Sequence, residues 1–370
     1  MTTTAVSTPT TRDDRSAFVR TLRELALSGL RRMYRPEAEL FAFRLRRADP
    51  EPVLEGLSYR YTAIALVGLA TVGDEVARDV LGGKAPGHLA ARLVADLDRM
   101  DDVGERALTL WACRALGHEG AAAALDALRR AEPAVCACPT VELAWCLTAL
   151  TLNGQVADAP TAHAVAERLM ASFRPGADLF THRPAGTPPQ RLRGHVACFA
   201  DLVYPIQALA HYHRATGSER AIDLARRCAE RMVRMQGPAG QWWWHHDVRT
   251  GQVIEGYPVY SVHQDAMAPM ALFDLADACG RDHRAAVERG LDWLYHAPEI
   301  DGSLVDRDAG VIWRKVARRE RGKLTRTVRA LATCVHPALR PPSLFPPKAI
   351  DWESRPYHMG WILYAWRNQG

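Results

Sequence analysis

No stretch of this sequence stays apolar for the roughly 18–20 residues that a membrane-spanning helix needs. The first twelve residues are Thr-rich and polar and lack the charged-then-apolar order of a signal peptide. They read as the start of a disordered tail, 1–14, on a cytoplasmic protein. The eight cysteines contain no CxxC pair. The nearest is Cys136-x-Cys138, and no His follows at finger spacing, so a structural zinc framework is not indicated. The cysteines sit beside Ala and Leu in helical runs and read as small, reduced, buried hydrophobes. There is no phosphate-cradling GxxxxGK(S/T), no GxSxG elbow, no dinucleotide fingerprint and no HExxH. Nucleotide-dependent and serine-hydrolase chemistry therefore lose their usual signatures, and no cofactor is assigned. Net charge is only +5, and no nucleic-acid motif accompanies it, so nucleic acid is not an expected partner.

What the chain does contain is helical periodicity. Apolar residues recur at helical spacing over 15–34, 58–71, 86–100, 102–116, 121–131, 140–152, 160–173, 199–216, 218–235, 262–279, 284–296 and 357–368. An extra helix is expected over 316–335. Pro86 and Pro160 suit a first helical turn, and Ser218-Glu219 reads as a cap followed by a first-turn acid. Gly117, Gly217 and Gly280 mark stops that suit a left-handed residue.

The links between these helices alternate in length. Segments 117–120, 153–159, 217 and 280–283 are short; 35–56, 174–198, 236–261 and 297–356 are long. Helices entered from long links are rich in Ala, Leu, Trp and Tyr. Those entered from short links carry more Arg, Glu and Asp, as an outer helix with a wet face should. The order reads outer then inner, six times. This resembles the all-α (α/α)6 toroid shared by six-hairpin glycosidases, sugar epimerases, polysaccharide lyases and terpenoid cyclases. The resemblance is architectural and carries no catalytic residues with it. It implies a closed ring of helical hairpins over 15–370, a single domain, with 297–356 as a long loop insertion.

In such a ring the long links and the inner-helix N-termini share one mouth, where function is expected. The residues there are Tyr59-Arg60-Tyr61, Asp101-Asp102, Glu142 with Trp145, Asp201 with Tyr204, His263-Gln264-Asp265, and Arg355-Pro356-Tyr357-His358. Asp102 reads equally as an N-cap, and Glu142 as a first-turn acid. The densest stretch runs through Trp242-Trp243-Trp244-His245-His246-Asp247 to Tyr257 and Tyr260. Arg249-Thr250-Gly251 looks like the turn of a short aromatic β-hairpin at the mouth, with 252–255 as the return strand. His245, His246, Asp247 and His263 are ligand types, but in no metal framework, so no metal is assigned. Asp265, at a helix start, is expected to be held ionised by the dipole, as base or nucleophile. Glu255, beside the Trp cluster, is the candidate desolvated acid. Asp201 and His263 complete the catalytic candidates. Substrate-binding candidates are Arg60, Tyr61, Tyr204, Trp242, Trp244, His246, Tyr260, Gln264, Arg355, Tyr357 and His358.

Three functions compete on these grounds. The first is a carbohydrate-active enzyme, a hydrolase, lyase or epimerase. Its small-molecule or oligosaccharide substrate could be anionic, held by Arg60 and Arg355. The second is a terpenoid-cyclase-like enzyme with Trp and Tyr stabilising carbocations, against which stands the absence of DxDD. A dry aromatic cavity would favour it; a carboxylate-lined groove would favour sugar. The third is a toroidal binding scaffold. The basic run 314–329 reads as a solvated helix face, or as a weak contact for an anionic membrane surface. Oligomeric state is not legible.

Overall fold

A computed structural model of the chain describes residues 11–188, 190–320 and 322–368. Most of residues 1–14, read as a tail, lie outside the described residues. Arg12, however, already opens a helix, and Thr11 caps it by accepting from the Asp14 N–H. Fourteen α-helices follow in order: α1 (Arg12–Met33), α2 (Tyr59–Leu69), α3 (Asp74–Val80), α4 (Pro86–Ala95), α5 (Val103–Ala115), α6 (Ala121–Arg130) and α7 (Thr140–Leu150), then α8 (Ala159–Ala171), α9 (Ala200–Thr216), α10 (Glu219–Arg234), α11 (Ala268–Cys279), α12 (Arg284–Tyr295), α13 (Leu324–Val335) and α14 (Pro356–Ala365). A π-helical turn, His263–Met267, leads into α11. Helix ends obey local chemistry. Ser218 caps α10 by accepting from the Ala221 N–H, and Gly217 and Gly280 close α9 and α11 at φ +72° and +71°.

The inner and outer assignment shows in burial. In α2 every residue from Thr62 to Leu69 is buried, and in α7 nearly all are, whereas α10 buries only one stripe. Packing follows a circuit: α2 lies on α5, α5 on α7, α7 on α9, α9 on α11, α11 on α14, and α14 on α2. The helices α1, α4, α6, α8, α10 and α12 pack outside them. Nearly all buried apolar side chains belong to one cluster.

The all-helical expectation is corrected in the long links, which fold into small antiparallel sheets. Leu40–Arg46 pairs with Val53–Leu57, Tyr34–Arg35 and Glu353–Ser354. Lys315–Ala317 lies between Val259–Tyr260 and Ala349–Asp351. The helix expected over 316–335 therefore begins only at Leu324. The cause is tertiary: Lys315–Ala317 is taken up as a strand, Arg314 is paired with Glu353, and Lys315 bonds Asp351 at 2.7 Å. Arg318 and Arg329 both bond Glu255. Several cations of the basic run thus turn inward onto carboxylates rather than forming one solvated or membrane-facing surface. The short α3 lies between the expected helices 58–71 and 86–100, where none was expected; seven residues before Gly82-Gly83 are too few to show a period.

Candidate active site

The N-terminal turns of the inner helices meet one another. Arg60, in the first turn of α2, donates through one nitrogen, Nη2, to Asp102 at 2.6 Å and to Glu142 at 3.1 Å. Asp102 is the N-cap of α5, with Oδ1 accepting from the Glu105 N–H at 2.8 Å. It therefore fills its cap role and turns its other oxygen to Arg60. Glu142 stands in the first turn of α7 and is buried. Burial raises its pKa, the neighbouring Asp102 charge adds to that, and Arg60 offsets part of it. Glu105 is raised for the same first reason, burial, with Asp102 again contributing.

Aromatic rings continue from this acidic corner. The Arg60 guanidinium lies 5.2 Å from the centroid of Trp145, Trp145 meets Tyr204 edge-on at 5.2 Å, and Tyr204 meets Trp361 at 6.1 Å. Tyr61 lies against Tyr357 at 4.8 Å, and its hydroxyl accepts from Arg355 at 2.7 Å. Burial pushes the Tyr357 hydroxyl up to about 12, against the pull of Arg314. Arg355 also bonds Glu353, which Arg314 and Arg44 bond as well. Burial alone would raise Glu353; Arg314 and Arg355 hold it below its ordinary value.

Beyond this cationic corner opens a cavity of about 500 Å³. Trp244, Tyr257 and Tyr260 form its aromatic wall, and Arg314, Lys315, Arg318, Lys323, Arg326 and Arg355 surround it. Glu255 and Glu320 are its acids. Tyr260 carries Arg314 and Lys315 over its ring at 5.2 and 5.3 Å. Such a cavity is polar and positive, with an aromatic wall on one side.

The residues expected to do chemistry are placed differently. Asp265 is 0% exposed, with both oxygens on His358 Nε2 at 2.8 and 2.9 Å. Burial raises its pKa, which corrects the expectation of a dipole-lowered carboxylate: desolvation outweighs one helix end. His358 is itself buried, at 3% exposure, and its Nε2 is taken up by this pair. Glu255, at 1% exposure, is no free acid; Arg318, Arg329 and the Tyr257 N–H occupy its two oxygens. Asp201, at 0% exposure, accepts from the Cys198 N–H at 2.8 Å and bonds His182 at 3.0 Å. His263 is stacked between Phe199 at 4.3 Å and Trp244 at 5.6 Å; burial lowers its pKa well below the usual imidazole value.

Among the binding candidates, Trp244, Tyr260 and Arg355 line the cavity, and Arg60, Tyr61, Tyr204 and Tyr357 belong to the aromatic chain. Trp242, Gln264 and His246 are interior. The strand begins at His245, so the three Trp residues precede it and do not alternate across a ribbon. Trp242 is 1% exposed, its N–H donates to Gln264 Oε1 at 3.2 Å, and Gln264 Nε2 donates to the Tyr260 carbonyl. His246 bonds the Trp243 carbonyl, and burial pushes its imidazole down to about 4. The strands His245–Asp247 and Gln252–Glu255 do pair antiparallel, joined by Val196–Cys198 on the other side. Sequence reasoning placed Asp102 and Glu142 at the mouth but weighed them as capping acids and left them out of the catalytic candidates, and it read the run holding Arg314, Lys315 and Arg326 as a solvated face or an anionic contact. Their convergence depends on contacts between helices far apart in the chain.

Solved structures share this architecture along nearly their whole length. An unsaturated glucuronyl hydrolase specific for heparin matches with a TM-score of 0.61 at 14% identity, covering 96% of this chain and 97% of that one. The unsaturated glucuronyl hydrolase of Bacillus sp. GL1, responsible for the degradation of glycosaminoglycan, gives 0.60 at 15% identity, covering 94% and 95%. That of Streptococcus agalactiae gives 0.59 at 12% identity, covering 96% and 92%. No family model matches the sequence, and no curated protein matches it. At these identities the likeness establishes the fold: the chain shares the six-hairpin (α/α)6 architecture of these glycosidases.

Proposed function

We propose that the chain is a carbohydrate-active enzyme that hydrolyses a glycosidic bond next to an anionic sugar. One observation carries the reading. Asp102 and Glu142, on neighbouring inner helices, share one Arg60 nitrogen beside the rings of Trp145 and Tyr204, and Arg355, which donates to Tyr61, lines a separate cavity ringed by cations. Hydrolysis of a glycoside needs a proton for the leaving oxygen and a second carboxylate for the electron-poor carbon or its attacking water. Glu142 suits the donor, because burial and Asp102 keep its proton on to higher pH than usual. Asp102 suits the second role, with Arg60 fixing its orientation. The faces of Tyr61, Tyr204 and Tyr357 suit sugar rings. The guanidinium groups of Arg314 and Arg355 suit a carboxylate or sulfate.

This assignment moves the chemistry from Asp265, Glu255, Asp201 and His263, which we read as positioning groups, to the acidic corner at Arg60. The circuit of inner helices is taken as a closed ring forming one domain, with the segment between α12 and α14 inserted over its mouth. The solved neighbours, glucuronyl hydrolases by name, support a uronate-bearing substrate. The polar cavity weighs against a terpenoid cyclase.

The test is turnover of a panel of uronate- and sulfate-bearing oligosaccharides, read by release of reducing sugar. Glu142→Gln and Asp102→Asn should each lose about 10²–10⁴-fold in kcat, the range expected of general acid–base groups. Circular dichroism should stay unchanged. Wild-type rates in both variants, or no turnover of any anionic saccharide by the unaltered protein, would overturn the proposal.

A further inference from the structure

Behind Trp244 lies a group of ligand-type side chains that the proposed reaction does not use. His182 follows the Leu179–Phe180 strand, Cys198 ends the Val196–Cys198 strand, and Asp201 stands in the first turn of α9. Their Nδ1, Sγ and carboxylate oxygen all lie within 4.8 Å of one another. Among the described residues this is the one group of three or more His, Cys, Asp or Glu side chains that meet so closely. The spacing is informative. His182 Nδ1 lies 3.0 and 3.2 Å from the two Asp201 oxygens. That is a hydrogen-bond distance, and it is also nearly the edge, about 3.3 Å, of a tetrahedron with the ~2.0 Å bonds zinc makes to nitrogen and oxygen.

His245 supplies a second, independent observation. It stands directly opposite Cys198 in the antiparallel pair, so both side chains leave the same face of the sheet. It is 4% exposed, and its buried Nδ1 has no hydrogen-bond partner among the described residues. An orphaned buried imidazole nitrogen costs free energy unless something fills its lone pair or takes its proton.

We infer that His182, Cys198 and Asp201 form a binding site for zinc or a zinc-like divalent ion, with His245, which leaves the same sheet face but lies outside the 4.8 Å group, turning in as the fourth ligand. Charge supports the set. One divalent ion, one thiolate, one carboxylate and two neutral imidazoles sum to zero, so the assembly can be buried without an uncompensated charge. Binding releases the Cys198 thiol proton and the proton shared by His182 and Asp201. Mixed nitrogen, sulfur and oxygen donors favour zinc over magnesium or calcium. The ion would tie the 245–255 hairpin to the start of α9 and to the segment carrying His182, and so brace the wall that holds Trp244. The sequence offered no such reading, because the ligands come from a loop, two strands and a helix without a compact motif.

The test uses the full chain expressed with zinc in the medium, dialysed, and measured for bound metal. About one equivalent of zinc per chain is expected, together with a raised melting temperature that a chelator reverses. Cobalt substituted for zinc should give a thiolate-to-cobalt absorption band, lost in Cys198→Ser. His182→Ala and His245→Ala should weaken zinc by more than the 10–100-fold that losing an outer-shell partner costs. His182 is partly exposed, so its variant should fold even if the others do not. Glu142→Gln should bind zinc like the unaltered protein, which separates this site from the proposed catalytic one. Less than a tenth of an equivalent of metal under zinc excess, or unchanged affinity in His182→Ala and Cys198→Ser, would overturn the inference.

Discussion

Replacing Gly68 by alanine places a methyl group inside the backbone of α14. A Cβ at Gly68 would stand 2.4 Å from the Gly360 carbonyl oxygen and 2.7 Å from its Cα; a Cβ at Gly360 would stand 2.5 Å from the Ile64 oxygen. The neighbour is main chain on both sides, so no side chain can rotate away. To reach ordinary contact the methyl must recede by roughly 1 Å. Helix α14 can give that distance only by disturbing its packing on α1 and α11. Overpacking of this kind costs about 1–3 kcal/mol, and more where backbone must move. Alanine regains about 1 kcal/mol over glycine in a helix interior through backbone entropy. Because the clash is with backbone the upper end of that range applies, and the expected net loss for Gly68→Ala is therefore about 2 kcal/mol or more. It should appear as a lower urea midpoint with an unchanged slope. The double variant with Gly360→Ala should cost less than the sum, because both methyls open the same crossing. Gly176→Ala is the control: nothing lies within 4 Å of its Cβ position, and stability should stay within about 0.5 kcal/mol. A Gly68→Ala protein as stable as wild type would refute the close crossing of the first and last inner helices, and with it the ring closure proposed here.

Two further outcomes follow from buried groups. His246 titrates near 4 when folded and near 6.5 when unfolded, so between those values the unfolded chain binds a proton that the folded chain refuses. Stability should fall by about 3 kcal/mol as pH drops across that window, and His246→Gln should flatten the fall; equal slopes would dismiss the argument. His358→Leu leaves Asp265 buried without its partner and should cost about 3–5 kcal/mol in urea denaturation. If the midpoint barely moves, the pair does not anchor α14 to the turn before α11.

The sequence by itself determined the helical pattern, its order and its ends. Ser218, Gly217, Gly280 and Asp102 act through bonds to residues within a turn of themselves, so their roles are local and legible. The alternation of short and long links carried the inner and outer order, because a covered helix and a wet one differ in composition. Periodicity also located the helix starts from which the candidate residues were drawn. It could not say which ionisable groups there would face each other. Asp265 and Asp102 look alike along the chain, each an aspartate at a helix start. Tertiary packing buries Asp265 against His358 and sets Asp102 beside Glu142 on Arg60. The same holds for Glu255, whose two arginine partners lie 63 and 74 residues away, and for His182, which meets Cys198 and Asp201 only through the path of a long link. Burial and charge pairing are properties of neighbours in space, and only the folded chain decides who those neighbours are.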